Sequence, residues 1–166
     1  KTFLAGEDLE MIMALDCPEE AFNLVEKLKM NLRRIENLGK PIVAAINGAA
    51  LGGGLEIALC CNHRIAVNSS KTKIGFPEVT LGILPMAGGL IRTTRLIGLE
   101  AALPLLLDGK QVTPCQAKEL GIIDDTADNI EELFSKAKQF IFANPEKLQP
   151  WDTKDYKIPS GNTYDP

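Results

Sequence analysis

Phe22, Val25, Leu28, Leu32 and Ile35 recur at intervals of three and four with Glu and Lys between them, which predicts an amphipathic helix over residues 18–38. Gly39 and Pro41 stop it, and Ile42, Val43, Ala44, Ala45 and Ile46 follow as a run of the length expected for a buried parallel strand. Helix followed by buried strand implies an α/β layer. Residues 47–54, NGAALGGG, interrupt regular structure before Leu55, Ile57, Ala58, Leu59 and Cys60 resume as a helix that is apolar on nearly every side. Ile65, Ala66 and Val67 form a second short strand, residues 68–73 turn the chain, and 74–84, IGFPEVTLGIL, read as short, partly irregular elements. A glycine-rich approach leads into a helix over 87–99 that ends at Gly98. Thr113 as N-cap and Pro114 at the first helical position open a short helix closed by Gly121. A last helix runs over 128–143, with Asp128 and Glu131 at capping-box spacing and Ile130, Leu133, Ala137, Phe140 and Ile141 on one face. Periodicity stops beyond Pro145. The expected organisation is one domain over 1–145 and a polar tail or linker over 146–166. Phe3 and Leu4 begin in mid-element, so the chain reads as a fragment.

With 166 residues, 45% apolar and 24% charged, the chain can bury a single core without staples. Its net charge of −4, with the basic residues dispersed, argues against a nucleic-acid partner. The longest apolar runs are about a quarter of the ~20 residues of a membrane span. The four cysteines, Cys17, Cys60, Cys61 and Cys115, form no CxxC and accompany a single histidine, His63, so zinc and disulfide frameworks fail on spacing. Vicinal Cys60 and Cys61 in an apolar run read as small buried hydrophobes in a reducing compartment.

Gly48, Gly52, Gly53 and Gly54 match neither GxGxxG nor a phosphate-binding loop ending in Lys-Ser or Lys-Thr. Two readings stay open for them: backbone N–H groups at a helix start that hold a negative oxygen, or a helix–strand crossing that only glycine fits. Glu56 favours the first. A carboxylate one turn past Gly53, among Leu, Ile, Ala and Cys, is costly unless used, and the helix start favours its ionised form, which suits a base. Glu78, 22 positions on in FPEVTLG, is a second carboxylate among apolar neighbours, read either as its acid–base partner or as an exposed loop residue. An aromatic content of 5% argues against a sugar cleft. No GxSxG accompanies His63, which reads as a structural histidine at a helix end. Arg92 and Arg95, at i and i+3, could grip a phosphate, but surface or ion-pair roles are commoner.

The stretch KPIVAAINGAALGGGLEIALCCNHRIAV, followed by KTKIGFPEVTLGILPMAGG, resembles the enoyl-CoA hydratase/isomerase (crotonase) family. FLAGEDL at 3–9 is similar to its first oxyanion-loop motif, and VTPCQAKELGII to a later helix. KTKIG and the segment around PWDTKDYKIPSG more closely resemble the hydratase part of multifunctional fatty-acid oxidation enzymes, in which a hydroxyacyl-CoA dehydrogenase follows.

The resemblance implies an α/β crotonase-like spiral of β-β-α units, hydration of 2-trans-enoyl-CoA to 3-hydroxyacyl-CoA, and no cofactor, since CoA is part of the substrate. It implies backbone N–H groups of Glu7 and Gly53 holding the thioester oxygen, Glu56 and Glu78 as catalytic carboxylates, and Ala5, Gly6, Asp8, Leu9 and Gly52 as substrate-binding residues. An isomerase would need only Glu78; keeping both glutamates favours hydration. Decarboxylation, thioester hydrolysis and a non-catalytic acyl-CoA-binding or assembly module are the alternatives. The implied partner states are a homotrimer or a covalently linked 3-hydroxyacyl-CoA dehydrogenase domain. The implied location is the cytoplasm in a bacterium, and mitochondria or peroxisomes in a eukaryote. Two departures stand out. Met86 occupies a position where the family usually has glycine, which predicts strain if that residue needs a positive φ. The oxyanion loop starts at residue 3, so the expectation is an N-terminally incomplete fold with part of the cleft missing, which need not turn over as it stands.

Overall fold

The computed structural model describes residues 2–6 and 9–159, residue 9 by its backbone alone. Strand β1 (Thr2–Ala5) and the short α1 (Leu9–Met13) precede α2 (Pro18–Glu36). Pro18 at the start of α2, Glu19 and Glu20 in its first turn and Arg33 and Arg34 in its last all suit the helix dipole. Only the C-terminal half of its apolar face packs: Leu28, Leu32 and Ile35 meet Cys60 and Ala87. Phe22, expected on the buried face, is 64% exposed.

Two sheets follow from alternating strands. β2 (Val43–Ile46), β4 (His63–Val67) and β7 (Asp125–Ala127) form one parallel sheet in the order β2-β4-β7. β1, β3 (Ala49–Leu51), β5 (Ile74–Gly75) and β6 (Gln111–Val112) form the other in that order, with β5 and β6 antiparallel. From β1 to β5 successive strands alternate between the two sheets, so the chain winds as a spiral. The segment 47–54 is therefore not wholly irregular. Its centre is β3, held between β1 and β5 by pairings that no local pattern reveals.

Helix α3 (Gly53–Cys60) runs through the middle, with every residue buried except Ile57. Gly54 is where it crosses β1. A Cβ there would lie 2.1 Å from the Leu4 carbonyl oxygen, so the crossing reading of the glycines holds at this position. Around α3 stand α4 (Gly89–Ile97), α5 (Leu99–Leu107), α6 (Pro114–Leu120) and α7 (Ile130–Ala143). Leu55, Leu59, Ile46, Ile74, Phe76, Leu105, Ile122 and Ile123 close the principal core. Thr113 and Gln116 form a reciprocal capping box on α6, and Gly121 closes it in the left-handed conformation, as expected. The cap of α7 is one residue later than the spacing suggests: Asn129 accepts from the Glu132 N–H, and Glu132 accepts from Asp128 N–H. Leu133 and Ala137 set that register by facing the β2-β4-β7 sheet. Among the described residues no helix is long and apolar enough to cross a bilayer.

Residues 144–159 lie against this body. Gln149 is fully buried and donates to the Cys60 carbonyl (2.6 Å), Asn62 donates to the Lys147 carbonyl (3.1 Å), and the Tyr156 hydroxyl donates to the Arg95 carbonyl. His63 starts β4 just past the end of α3 and stacks on Phe140 with ring centroids 4.0 Å apart, while Arg64 pairs with Asp124 at 2.7 Å. Burial is the main influence on His63 and favours its neutral form.

Cys60 and Cys61 are free and buried, and burial pushes their thiols up to about 12 and about 11. Cys17 and Cys115 are free and exposed. A thiol reagent at neutral pH is expected to label two cysteines in the native chain and four after unfolding. Mass spectrometry of the labelled peptides checks this, and fast labelling of Cys60 or Cys61 in the native state would contradict it.

Candidate active site

The turn from β3 into α3 begins the site. Gly52 adopts φ 55° and ψ −128°, a conformation open to glycine, and its carbonyl accepts the N–H groups of Leu55 (2.8 Å) and Glu56 (3.0 Å). Gly53 is the first residue of α3, so its N–H has no acceptor within the helix by position. A Cβ on Gly52 would sit 3.0 Å from Glu78 Oε1 and 3.5 Å from the Gly6 Cα. Glycine at 52 is thus what lets the Glu78 carboxylate lie flush against the turn.

Pro77 starts a 3₁₀ turn (Pro77–Leu81) that carries Glu78 inward. The Glu78 side chain is buried rather than displayed on an exposed loop. Ala5, Gly6, Gly52, Gly53 and Glu78 line one cavity of about 120 Å³ together with Ile12, Pro77, Leu81 and Ile83. Five of the residues implied as site residues are therefore brought to one wall. Glu7 and Asp8, and the side chain of Leu9, lie outside the described residues.

Glu56 is not on that wall. It sits one turn into α3, 1% exposed, with Oε1 accepting the Gly89 N–H at 2.7 Å. Gly89 lies so close that a Cβ would fall 2.8 Å from Glu56 Cγ and 2.7 Å from the Phe76 ring. The carboxylate is held by a backbone donor and lies in the first turn of α3.

Beyond Ile12 and Ile83, which it shares with the cavity, an apolar groove of about 380 Å³ runs between α1 and α2. Met11, Leu15, Cys17, Pro18, Ala21, Leu24, Val25, Leu28 and Met86 line it. The N-terminal half of the α2 apolar face, which the sequence shows only as one side of an amphipathic helix, is a wall of this groove. Hydrophobic spacing signals a face that avoids water without saying what covers it. Met86 also lines the groove, and the left-handed residues of the segment around it are Gly82 (φ 73°) and Gly88 (φ 104°).

Arg92 does not extend as a phosphate clamp. It is buried and donates from Nε to Glu36 Oε1 at 2.7 Å and from Nη1 to the Ala87 carbonyl at 2.9 Å. Arg95 is exposed on α4. Glu36 went unread in the sequence, since a glutamate near the end of a charged helix carries no local sign of a partner 56 positions away. Among the described residues no cluster of His, Cys, Asp and Glu could hold a metal ion.

Two sheets wound as a spiral around a buried helix that starts at a glycine turn define a crotonase-type fold. Residues 1–146 match the family described as enoyl-CoA hydratase/isomerase, and the chain belongs to that family. It is similar to the fatty acid oxidation complex subunit alpha of Shewanella amazonensis, 49% identical over 124 residues that are 75% of this chain and 18% of that protein. The corresponding subunit of Vibrio campbellii is 46% identical over 160 residues, 96% of this chain and 23% of that one. The chain thus spans about one fifth of the length of these curated relatives. Among solved structures, an enoyl-CoA hydratase from Thermoplasma volcanium superposes with a TM-score of 0.80 at 32% identity, covering 86% of this chain and 56% of that one. One from Bacillus anthracis superposes at 0.75 and 36% identity, covering 84% and 52%.

Proposed function

We propose that the chain hydrates 2-trans-enoyl-CoA thioesters to 3-hydroxyacyl-CoA. The observation that carries this reading is the buried Glu78 carboxylate against the Gly52–Gly53 turn, with a second buried carboxylate, Glu56, in the first turn of α3, the helix that this turn opens. Glu56 takes a proton from water as its oxygen bonds to C3, the C2=C3 electrons move to make an enolate on the thioester oxygen, and a protonated Glu78 delivers its proton to C2. The Gly53 N–H donates to the oxygen as charge develops there, an interaction worth about 3 kcal/mol in comparable sites. The Glu7 N–H is the second donor implied by the family resemblance. Membership in the hydratase/isomerase family and likeness to solved hydratases support the reaction class.

The apolar groove gives the acyl chain a place to lie. Each methylene buried there adds roughly 0.8 kcal/mol, about fourfold in KM, until the groove is filled. A long-chain 2-enoyl-CoA is expected to show a far lower KM than crotonyl-CoA and to protect Cys17, at the groove wall, from labelling while leaving Cys115 reactive. Equal KM values and unprotected Cys17 would remove the acyl chain from the groove.

Isomerisation of 3-enoyl-CoA to 2-enoyl-CoA is the second reading, favoured by one observation: Glu78 lines the cavity and Glu56 does not. In it Glu78 alone carries a proton from C2 to C4. Measuring the products from 2-enoyl and 3-enoyl thioesters separates the two.

A further inference from the structure

Glu56 is held by a peptide N–H whose own position is set from the other side. The turn Ala87–Gly88–Gly89 lies between two charged side chains. On one face the Gly89 N–H donates to Glu56 Oε1 at 2.7 Å; on the other, Arg92 Nη1 donates to the Ala87 carbonyl at 2.9 Å. These groups belong to adjacent peptide units joined at the Gly88 Cα, so only the two backbone torsions of Gly88 separate the held carbonyl from the held N–H. The fit is close on both sides. A Cβ on Gly88 would lie 2.2 Å from Arg92 Nη1, and one on Gly89 would lie 2.9 Å from Glu56 Oε1.

The guanidinium is fixed in turn. Arg92 is 8% exposed and its Nε donates to Glu36 Oε1 at 2.7 Å, on a side chain with 2% of its surface exposed. Glu36 Oε2 accepts from Arg33 at 2.9 Å, and Arg33 makes a two-point pair with Asp152 at 2.6 and 2.9 Å. Burial divides this chain of ion pairs into two parts. The Glu36–Arg92 pair is desolvated, so removing one member strands a charge; the Arg33–Asp152 pair has an arginine 44% exposed, where water screens it.

We propose that Arg92, anchored by Glu36, is a positioning residue for Glu56: it fixes the Ala87–Gly89 turn and so keeps the Gly89 N–H on the Glu56 carboxylate. A planar fork that grips a carbonyl and a carboxylate together suits this task, and a lysine, with one nitrogen, cannot reproduce it in full. The inference rests on the proposed hydration reading only for its catalytic consequence; the geometry it asserts is a property of the turn.

The test uses Arg92→Met and Arg92→Lys, each read by exchange of the Gly89 amide and by hydration kinetics. In Arg92→Met the Gly89 amide is expected to exchange about tenfold faster relative to the amides of α3, as for loss of one held hydrogen bond. The kcat is expected to fall roughly 10- to 100-fold, with KM within about threefold. Arg92→Lys recovers part of both, and Asp152→Ala changes neither by more than about twofold. Should Arg92→Met not fold, Glu36→Gln carries the test, with the same two changes at smaller size. Unchanged Gly89 protection overturns the proposal, as does an unchanged kcat in a chain whose wild type hydrates. A wild type that hydrates nothing defeats the functional reading instead, while Gly89 protection still decides the positioning.

Discussion

Replacing Glu78 by glutamine is expected to lower hydration of a 2-enoyl-CoA by roughly 10²- to 10⁴-fold, the usual worth of a positioned proton donor. The same substitution is expected to remove isomerisation of a 3-enoyl-CoA, because Glu78 is the carboxylate that lines the cavity among the described residues. Glu56→Gln separates the reactions. Its side chain can still accept the Gly89 N–H through the amide oxygen, so the turn is kept, but it cannot take a proton from water. Hydration is expected to fall by a similar factor and isomerisation by about tenfold at most. Steady-state rates with both substrates, and binding of a saturated acyl-CoA as a check that the cleft survives, measure this. Wild-type hydration in both variants would sink the catalytic assignment and favour a binding module.

The second large effect belongs to Gly54. An alanine there places its Cβ 2.1 Å from the Leu4 carbonyl oxygen and 2.7 Å from the Leu4 carbonyl carbon. Neither is the end of a flexible side chain, so α3 must lift from β1. Overpacking costs 1–3 kcal/mol where side chains can yield; against backbone the loss is expected at about 3 kcal/mol or more. For a chain of this size that lowers Tm by roughly 6–12 °C. It also moves Gly53 and Glu56 together, since both ride on the displaced helix, and a misplacement of ~1 Å is worth about 100-fold in rate. Gly39→Ala is the control. Gly39 has φ 71° but open space around its Cβ position, so its cost is ~1–2 kcal/mol of backbone strain with no change in turnover. Thermal unfolding and hydration rates of the two variants decide it; equal behaviour would mean that α3 does not bear on β1.

The parts of the fold legible in the sequence were those with a strong local cause. The strand at Val43–Ile46, the helix opened by Thr113 and Pro114 and the long helix before Gly39 each carry their own signal in periodicity, cap or stop. The short strands Ala49–Leu51, Gln111–Val112 and Asp125–Ala127 do not, because two or three residues give no period and their pairing partners are distant in sequence. The helix Leu99–Leu107 was hidden by Pro104 inside it, a residue that argues locally against helix.

The candidate site divides in the same way. Glu56 was legible because a carboxylate in an apolar helix calls for an explanation. Glu78 was legible only as one of two readings, since its burial comes from a 3₁₀ turn folded against Gly52 and not from its neighbours in sequence. The left-handed glycine nearest Met86 is Gly88, and Met86 lines the groove. Arg92 and Arg95 share a spacing but not a fate. One meets Glu36 across 56 positions and is buried; the other stays in water, and only the folded chain distinguishes them.

The most direct measurement is the ultraviolet absorbance of a conjugated long-chain 2-enoyl-CoA after the 166-residue chain is added, with the product identified by mass. The account predicts loss of absorbance and a product heavier by one water. Unchanged absorbance and mass, alongside conversion of a 3-enoyl-CoA into the conjugated thioester, would contradict it and make the chain an isomerase.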